Sequence, residues 1–338
     1  MSTDGIEIRG YLPGDEHRIL DTFNLVFRET CGPDFVDRTM AQWAWQYLAN
    51  PVGHRITIAV ASDGTVASQY AGVPMLADTP WGTHRFVHCV DSMTHPRWRQ
   101  GLQRQGLFMQ TGGKFGEQCL LTGEAVCYGL PIDNAFRIGQ RYLQYTMLCV
   151  IDYLIRDRAL PPLPMPSGIT VQQVHDVPAE VDALYAVVAK DKRCLLRRDR
   201  RYLQWRYQQN PAHSEYELWA ARRGEQLCGL LVLRPAQGLA PDAATIVDWL
   251  VPEHDGDAID ALLAVATRRQ HELGRLRLLA VFPQWSSEWR AFTQRGFLLV
   301  PSATWLQRRL VHTIHLASMT PEFLQQSWWF TLGDTDLA

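Results

Sequence analysis

The sequence lacks the features that would assign it to a membrane, disulfide-rich or zinc-binding class. Its seven cysteines include no Cys-x-x-Cys pair and their number is odd, so we expect reduced thiols. No run of about 18 apolar residues occurs, and therefore no transmembrane helix is predicted. The opening MSTDGIEIRG lacks the apolar core of a secretory signal. A formal net charge of −2 gives no global attraction to nucleic acid or acidic lipid. These absences predict a cytoplasmic protein.

The chain is long enough for two domains. It has 338 residues, of which 46% are hydrophobic and 20% are charged, a balance that can bury a large core. The segment LPPLPMPSG (160–168) has the proline content of a linker. We therefore predict an N-terminal domain over 1–158, a linker over 159–169 and a C-terminal domain over 170–338.

Two segments repeat at a constant spacing of 160 residues. They are QWAWQYLANP (42–51) and YLQWRYQQNP (202–211). The same spacing separates Gly64 from Gly224, and each glycine stands between two strand-like runs, as in a β-hairpin. A constant spacing across a helix and a hairpin indicates an internal duplication. The matched pairs are Trp45 and Trp205, Tyr47 and Tyr207, Asn50 and Asn210, and Pro51 and Pro211.

The predicted elements follow the same order in both halves. Each half reads as a short strand, two helices, a hairpin and a further strand, and then helix, strand, helix and strand. In the first half the last strand is predicted to run through QYTMLCVIDYLI (144–155). The pattern predicts an α/β protein of the α+β type, with two tandem units that each have a central twisted mixed sheet flanked by helices.

The segment HPRWRQGLQRQG (95–106) joins a predicted strand to a predicted helix and is rich in arginine and glycine. Free backbone N–H groups at a helix start attract an anion, and arginine adds full positive charges. The segment is not a P-loop, because no Gly-Lys-Ser/Thr follows, and it is not Gly-x-Gly-x-x-Gly. We therefore predict a turn that binds phosphate or pyrophosphate.

The order of elements around this turn resembles the GNAT family of acyl-CoA N-acyltransferases. The segments WQYLANP, THPRWRQG and YGLPIDNAFRIGQRYLQY are similar to a bacterial subgroup with two GNAT units in one chain. The resemblance covers most of 5–155 and, more weakly, 170–310. It implies that the turn cradles the pyrophosphate of acetyl-CoA or another acyl-CoA. It also implies an N-acyltransferase that acts on a primary amine of a small metabolite.

The resemblance further implies which residues contact the cofactor. A backbone N–H of the strand before the turn would stabilise the oxyanion. Asn134 would contact the CoA arm, although helix capping explains it equally well. The usual family turn is Arg/Gln-x-x-Gly-x-Gly/Ala, and here Gln103 stands where a glycine is expected, while Gly106 falls inside the predicted helix. The implied cofactor contacts are Val90, Ser92, Met93, Arg97, Arg99, Gln100, Gly101, Leu102, Gln103, Arg104 and Asn134.

Direct attack of an amine on a thioester, as in this family, requires a proton acceptor. Asp91 is the nearest carboxylate on the strand before the turn and is our candidate base. A solvent-facing strand acid or a cap is an equally good interpretation of Asp91. Glu124, before the next strand, is held in reserve.

The same reaction requires an acid for the leaving thiolate. The family often uses a tyrosine four residues before a Gly-Phe pair. Here Gln144-Tyr145 replaces that pair, which puts Gln140 at the tyrosine position. Tyr142 and Tyr128 are neighbours that are candidates to substitute, with packing as the alternative role for each.

The corresponding turn of the second half is acidic. The sequence VPEHDGDAIDALL places Glu253, Asp255 and Asp257 where the first half has arginines. Carboxylates repel phosphate but favour a helix start. Counting back from Gly296 gives Phe292, which cannot donate a proton. We therefore predict that the second unit binds no cofactor and has a structural or substrate-covering role.

Other functions are compatible with the sequence. FemABX-type transferases, which use aminoacyl-tRNA, also contain tandem GNAT-like units, and KDKRCLLRRDRR (190–201) is either an RNA contact or a solvated helix face. An acyl carrier protein as donor, or a CoA sensor without catalysis, are further alternatives. The histidines and cysteines lack metal-ligand spacing, so no metal is expected. No membrane or nucleic-acid partner is expected, and the oligomeric state is left open.

Overall fold

The computed structural model describes residues 5–99, 106–236, 239–305 and 308–337. The chain divides into two units that alternate along the sequence. Unit 1 comprises Met1–Leu76, His84–Met147 and Val311–Thr320. Unit 2 comprises Ala77–Thr83, Leu148–Leu310 and Pro321–Ala338.

The first half of the chain contains all the elements that the sequence predicts there. In chain order they are β1 (Glu7–Gly10), α1 (Glu16–Cys31), α2 (Met40–Tyr47), β2 (Arg55–Val60), β3 (Val66–Thr79), β4 (Gly82–Thr94), α3 (Leu107–Thr122), β5 (Val126–Gly129), α4 (Asp133–Tyr142), β6 (Thr146–Val150) and β7 (Tyr153–Asp157).

The second half repeats this order with one extra strand, β9 (Cys194–Leu196), and adds a C-terminal segment. Its elements are β8 (Thr170–Val174), α5 (Val181–Val188), β9 (Cys194–Leu196), α6 (Arg200–Leu203), β10 (Glu217–Arg223), β11 (Gln226–Arg234), β12 (Ala243–Leu250), α7 (Gly256–Glu272), β13 (Arg277–Ala280), α8 (Ser287–Thr293), β14 (Leu298–Val300), β15 (Arg309–Ile314), α9 (Pro321–Ser327) and β16 (Trp328–Trp329).

The sheet of unit 1 has the order β1-β2-β3-β4-β5-β15-β6. Strands β2 and β3 form the predicted hairpin, with Gly64 at φ 82° in the turn, a left-handed conformation that glycine adopts without strain. Strands β4 and β5 are parallel and are joined by α3. The apolar face of α3 packs on the sheet through Phe115, which lies in a buried cluster with Tyr70 and Val87.

The sheet of unit 2 has the order β14-β7-β13-β12-β11-β10-β8. Its hairpin joins β10 and β11, with Gly224 at φ 59°. Strands β12 and β13 are parallel and are joined by α7, which is buried along most of its length. The prediction of an α/β fold with two mixed sheets is therefore confirmed.

The units do not follow the predicted domain boundaries at 158 and 170. The predicted strand over 144–155 is two strands, of which β6 belongs to the sheet of unit 1, while β7 lies between β13 and β14 in the sheet of unit 2. Strand β15, from the second half, lies in turn beside β5 in unit 1. An apolar pattern shows that a segment is a buried strand but does not show which sheet it joins.

Of the helices that the structure describes, none is both long enough and apolar enough to cross a lipid bilayer.

Candidate active site

In unit 1, β5 ends at the place where the resemblance implies a thioester site, while β4 continues. The pairing of the two strands ends at His88 and Tyr128, whereas β4 continues to Thr94. Just beyond the last pair, a side chain on Gly129 would meet the carbonyl oxygen of Cys89 at 3.0 Å. Asp91 then takes a left-handed backbone conformation, with φ 54°, which interrupts the regular strand. The predicted oxyanion residues therefore lie on the part of β4 that extends beyond the end of β5.

The turn after β4 is anchored by Trp98. Residues Pro96–Trp98 form a short 3-10 turn, in which the His95 ring accepts a hydrogen bond from the Arg97 N–H at 3.2 Å. The Trp98 side chain packs against Ala67 and Leu107. This packing fixes the start of the turn next to the β2–β3 hairpin and the first turn of α3.

Both arginines that the structure describes in this turn contact carboxylates. The guanidinium of Arg97 lies 4.5 Å from the Trp98 ring centroid and 3.3 Å from the Asp63 carboxylate. Arg99 donates to the Thr94 carbonyl at 2.9 Å and pairs with Glu29 at 2.9 Å. Their side chains are 55% and 39% exposed, so both remain within reach of an anion from solvent.

The rest of the predicted turn lies outside the described residues, namely Gln100, Gly101, Leu102, Gln103 and Arg104. Gly106 is the N-cap of α3 and not a residue within the helix. The helix therefore begins at Leu107, four residues later than predicted. Its first turn carries no acidic side chain, which leaves its N-terminal N–H groups in a positive environment.

The Asp91 carboxylate is held by three side chains, so its geometry favours a structural role over that of a base. Arg38 binds it with both guanidinium nitrogens, one of them at 3.1 Å. Gln46 donates to it at 2.9 Å and Tyr47 at 2.6 Å. The Asp91 side chain is only 7% exposed. A carboxylate with these partners binds the loop before α2, and α2 itself, to β4.

The same arrangement occurs in unit 2. Arg198 donates to Asp248 at 3.2 Å, and Tyr207 donates to Asp248 at 3.0 Å. Arg198 and Tyr207 lie 160 residues after Arg38 and Tyr47, which is the spacing of the sequence repeat. The constant spacing was the signal that would have identified Arg38 from the sequence.

A second pair of side chains confirms the repeat. The Asn50 side chain accepts a hydrogen bond from the N–H of Val52 at 2.9 Å, and Asn210 accepts one from Ala212 at 2.9 Å. Both asparagines are buried. The Asn-Pro motif therefore closes the same turn in each unit.

Glu124, the reserve base, is also engaged. Its side chain is 0% exposed and pairs with Arg55 and Arg85, the latter at 3.2 Å. It lies just before β5, at the opposite end of that strand from Gly129. This placement favours a structural ion-pair cluster over a base at the thioester.

The candidate acids differ in accessibility. Tyr128 is 2% exposed, and its ring stacks on His88 with 4.9 Å between centroids. Tyr142 is half-buried at the end of α4, where Arg141 lies 5.2 Å from its ring centroid. Tyr142 is therefore the more accessible of the two phenols.

The backbone supports the predicted match of Gln144-Tyr145 with Gly-Phe. Gln144 has φ 59° and Gly296, its counterpart in unit 2, has φ 86°. The phenols of Tyr145 and Tyr70 form a short hydrogen bond, and burial raises the pKa of Tyr145. Sequence reasoning had assigned no role to Tyr145. Asn134 is exposed in the first turn of α4, where Ile132 and not Asn134 is the N-cap.

The Cys127 thiol, on β5, is a poor nucleophile. Hydrogen bonding with Cys119 and Cys89, together with burial, raises the pKa of Cys127 well above its ordinary value. A thiol with a raised pKa carries little thiolate at neutral pH. Within the described ranges, no group of three or more histidine, cysteine or acidic side chains is placed to bind a metal ion.

In unit 2, β13 likewise ends before β12, and aromatic side chains pack beyond its end. Pairing of β12 with β13 ends at Thr245 and Leu279, and β12 continues to Leu250. The Phe292 ring lies 5.1 Å from Trp249 on β12 and 4.8 Å from Phe282, just after β13. All three rings are at most 3% exposed. The space beyond the end of β13 is therefore filled by these three aromatic side chains.

The acidic turn of unit 2 is a helix start, as predicted. Asp255 caps α7 by accepting from the Ala258 N–H at 3.1 Å, and Arg223 holds its carboxylate at 2.7 and 3.1 Å. Glu253 pairs with the fully buried amine of Lys192. A cavity of about 830 Å³ adjoins this turn, but carboxylates at its wall oppose the binding of phosphate.

Of the seven cations in the basic run over 190–201, Lys190, Arg193, Arg200 and Arg201 are exposed, whereas the other three contact carboxylates. The side chains of Lys192 and Arg198 are 0% exposed and contact carboxylates. Arg198 also binds Asp334 of the C-terminal segment at 2.6 Å, and Arg197 pairs with Asp78 at 2.6 Å. Lys192, Arg197 and Arg198 are therefore part of a structural network within unit 2.

Comparison with solved structures identifies the architecture. A probable N-acyltransferase from Enterococcus faecalis superposes with a TM-score of 0.66 at 12% identity, over 91% of this chain and 72% of that one. A GCN5-related N-acetyltransferase from Anabaena variabilis gives 0.63 at 11% identity, over 92% and 73%. A tandem GNAT protein from the clavulanic acid biosynthesis pathway gives 0.54 at 13% identity, over 92% and 98%.

This chain has a tandem GNAT fold. The resemblance inferred from the sequence is thereby confirmed at the level of the fold. Protein-family models give no match to this sequence, and curated protein sequences give none either.

Proposed function

We propose that unit 1 is an N-acyltransferase that moves an acetyl or other short acyl group from acyl-CoA to a primary amine of a small metabolite. The observation that carries this proposal is the contrast between the units. In unit 2 the Phe292 ring packs between Trp249 and Phe282, whereas the corresponding residue of unit 1, Gln140, is exposed. Unit 1 also has the basic turn, whereas the turn of unit 2 is acidic.

The described residues of unit 1 suit an acyl-CoA. Arg97 and Arg99 present exposed guanidinium groups beside the N-terminus of α3, where phosphate oxygens are favoured. The backbone of Val90, Ser92 and Met93 runs along the part of β4 that β5 no longer pairs with, so that its N–H groups suit a thioester oxygen. When bound, the thioester supplies an activated carbonyl carbon and a thiolate leaving group.

The chemistry that fits this site is direct transfer. The amine nitrogen bonds to the carbonyl carbon, the carbon–sulfur bond breaks, one proton leaves the nitrogen and one is taken up by the thiolate. Cys127 does not form an acyl-enzyme, because its raised pKa suppresses the thiolate. Tyr142 is the proposed proton donor, since it is half-buried and therefore reachable, with Tyr128 as the buried alternative.

In this proposal Asp91 positions the site and does not itself accept a proton. Its ion pair with Arg38 holds the loop before α2 against β4, and its own left-handed backbone lies within the segment proposed to bind the thioester oxygen. A water molecule in the site takes the proton of the amine when no carboxylate is free to do so.

Calorimetric titration of acetyl-CoA and CoA tests the proposal. We expect micromolar binding to the native protein and a loss of more than about tenfold, or 1.4 kcal/mol, in the double variant Arg99→Ala/Arg104→Ala. Arg223→Ala, which removes an exposed arginine beside the turn of unit 2, is the matched control and should bind normally. Thiol release from acetyl-CoA with a panel of primary amines then identifies the acceptor.

Two outcomes would replace the proposal. Binding of CoA without thiol release for any amine would favour a CoA sensor. Absence of CoA binding would direct attention to an acyl carrier protein or to aminoacyl-tRNA as the donor.

A further inference from the structure

A second cavity lies in unit 2, away from the acidic turn. It has a volume of about 290 Å³ and lies between the β6–β7 turn, the segment after β13 and the C-terminal helix α9. A cavity of about 150 Å³ accommodates benzene, so this one has room for an aromatic ring and a short chain.

Aromatic side chains form the walls of this cavity. They come from two separate parts of the chain: Trp285 and Trp289 at the start of α8, and Trp328 and Phe330 from the C-terminal segment. Trp285 is 41% exposed, although burial of an indole is strongly favourable. Faces of tryptophan bind apolar groups and, because of their quadrupole, organic cations.

One carboxylate lines the same cavity. Asp152 lies in the β6–β7 turn, where it accepts hydrogen bonds from the Gln284 side chain at 3.2 Å and from the Ser302 backbone N–H at 3.2 Å. Both donors are uncharged. Within the ranges that the structure describes, Asp152 forms no ion pair. Burial raises the pKa of the neighbouring Tyr153, and the charge of Arg308 also acts on that pKa by lowering it, while the charge of Asp152 raises it.

We propose that this cavity binds a small aromatic amine, with its ammonium group at Asp152 and its ring between Trp285 and Trp289. The Asp152 charge selects a cation over a neutral or acidic analogue, and the indole faces add a cation–π attraction. The neighbouring Cys149 thiol stays protonated, because burial and the charge of Asp152 raise its pKa to about 12. This site belongs to unit 2 and does not depend on the proposed acyl transfer.

Direct binding of three matched probes tests the inference. Phenethylamine, 2-phenylethanol and phenylacetate share one ring and one chain length but differ in charge. Binding is measured by calorimetry and by quenching of tryptophan fluorescence, without any acyl-CoA. We expect phenethylamine to bind at least about tenfold more tightly than the alcohol, and phenylacetate to bind most weakly.

Two variants assign the binding to this cavity. Asp152→Asn keeps the hydrogen-bond acceptor for Ser302 and should reduce the preference for the amine over the alcohol to less than about threefold. Trp285→Ala should weaken all three probes, whereas Trp81→Ala, which removes a similarly exposed indole of unit 2, should not. Circular dichroism confirms that each variant is folded.

The inference would be overturned by equal affinity for the amine and the alcohol, by no binding of phenethylamine, or by an unchanged preference in folded Asp152→Asn. Because no acyl donor is present, none of these results bears on catalysis in unit 1. Failure of acyl transfer would likewise leave the binding data unaffected.

Discussion

The phenol of Tyr207 donates a hydrogen bond to the carboxylate of Asp248 at 3.0 Å, as Tyr47 does to Asp91 at 2.6 Å in unit 1. An arginine completes each cluster. The cluster is present in both units, although their turns have opposite charge and an exposed Gln140 in unit 1 replaces the buried Phe292 of unit 2. Because the two units differ in this way and still share the cluster, we infer that the cluster has a structural role and not a catalytic one. It joins the α2 region, or its counterpart, to the strand that precedes the turn.

Removal of the Asp91 carboxylate should therefore act on stability. Asp91→Ala leaves the Arg38 guanidinium without its ion pair in a largely buried position, and we expect a loss of roughly 2–4 kcal/mol in the free energy of unfolding. Urea denaturation measures this loss. The double variant Arg38→Gln/Asp91→Asn removes both charges together and should lose distinctly less. If folded Asp91→Asn abolished thiol release without loss of stability, Asp91 would instead be the base.

Unit 2 should bind no acyl-CoA even when its packing is weakened. Phe292 is 0% exposed, so Phe292→Ala should cost about 3–5 kcal/mol by leaving a cavity. We expect the native protein and this variant to bind one acetyl-CoA per chain, as measured by calorimetry. A stoichiometry of two in either protein would contradict the assignment of binding to unit 1 alone.

The buried His312 should lower the free energy of unfolding of the protein as the pH decreases. It is 2% exposed on β15, and burial lowers its pKa to about 4. The unfolded chain, with a histidine pKa of about 6.5, binds this proton first. Stability should therefore fall as the pH decreases from about 6.5 to 4, by about 2–3 kcal/mol from this residue.

Replacement of His312 isolates this contribution. His312→Phe should flatten the decrease in the free energy of unfolding between pH 6.5 and 4, whereas His17→Phe, at an exposed site on α1, should leave it unchanged. Thermal denaturation as a function of pH measures the effect. An identical pH dependence in native and His312→Phe proteins would show that His312 titrates normally.

The buried thiols should take no part in acyl transfer. Mass spectrometry after incubation with acetyl-CoA should show no acetylated cysteine, and Cys127→Ala should keep kcat/KM within about threefold. Cys31 is exposed and should react with a thiol reagent first. An acetyl adduct on Cys89 or Cys127 would indicate a covalent intermediate in place of direct transfer.

Local signals in the sequence were sufficient to predict the repeated units. The hairpins at Gly64 and Gly224, the Asn-Pro turns and the acidic start of α7 depend on backbone conformation and capping within a few residues. The sequence therefore determined the element order and the duplication. It also determined the difference in charge between the two turns.

Contacts between distant segments were decided only by the tertiary structure. The pairing of β7 with β13 and of β15 with β5 depends on which sheet edge a strand reaches, and an alternating apolar pattern is the same for either edge. The partners of Asp91 lie more than 40 positions away in the chain, at Arg38, Gln46 and Tyr47. Such partners decide whether a carboxylate is available as a base or is engaged in hydrogen bonds and ion pairs, because burial and hydrogen bonding are properties of the folded chain.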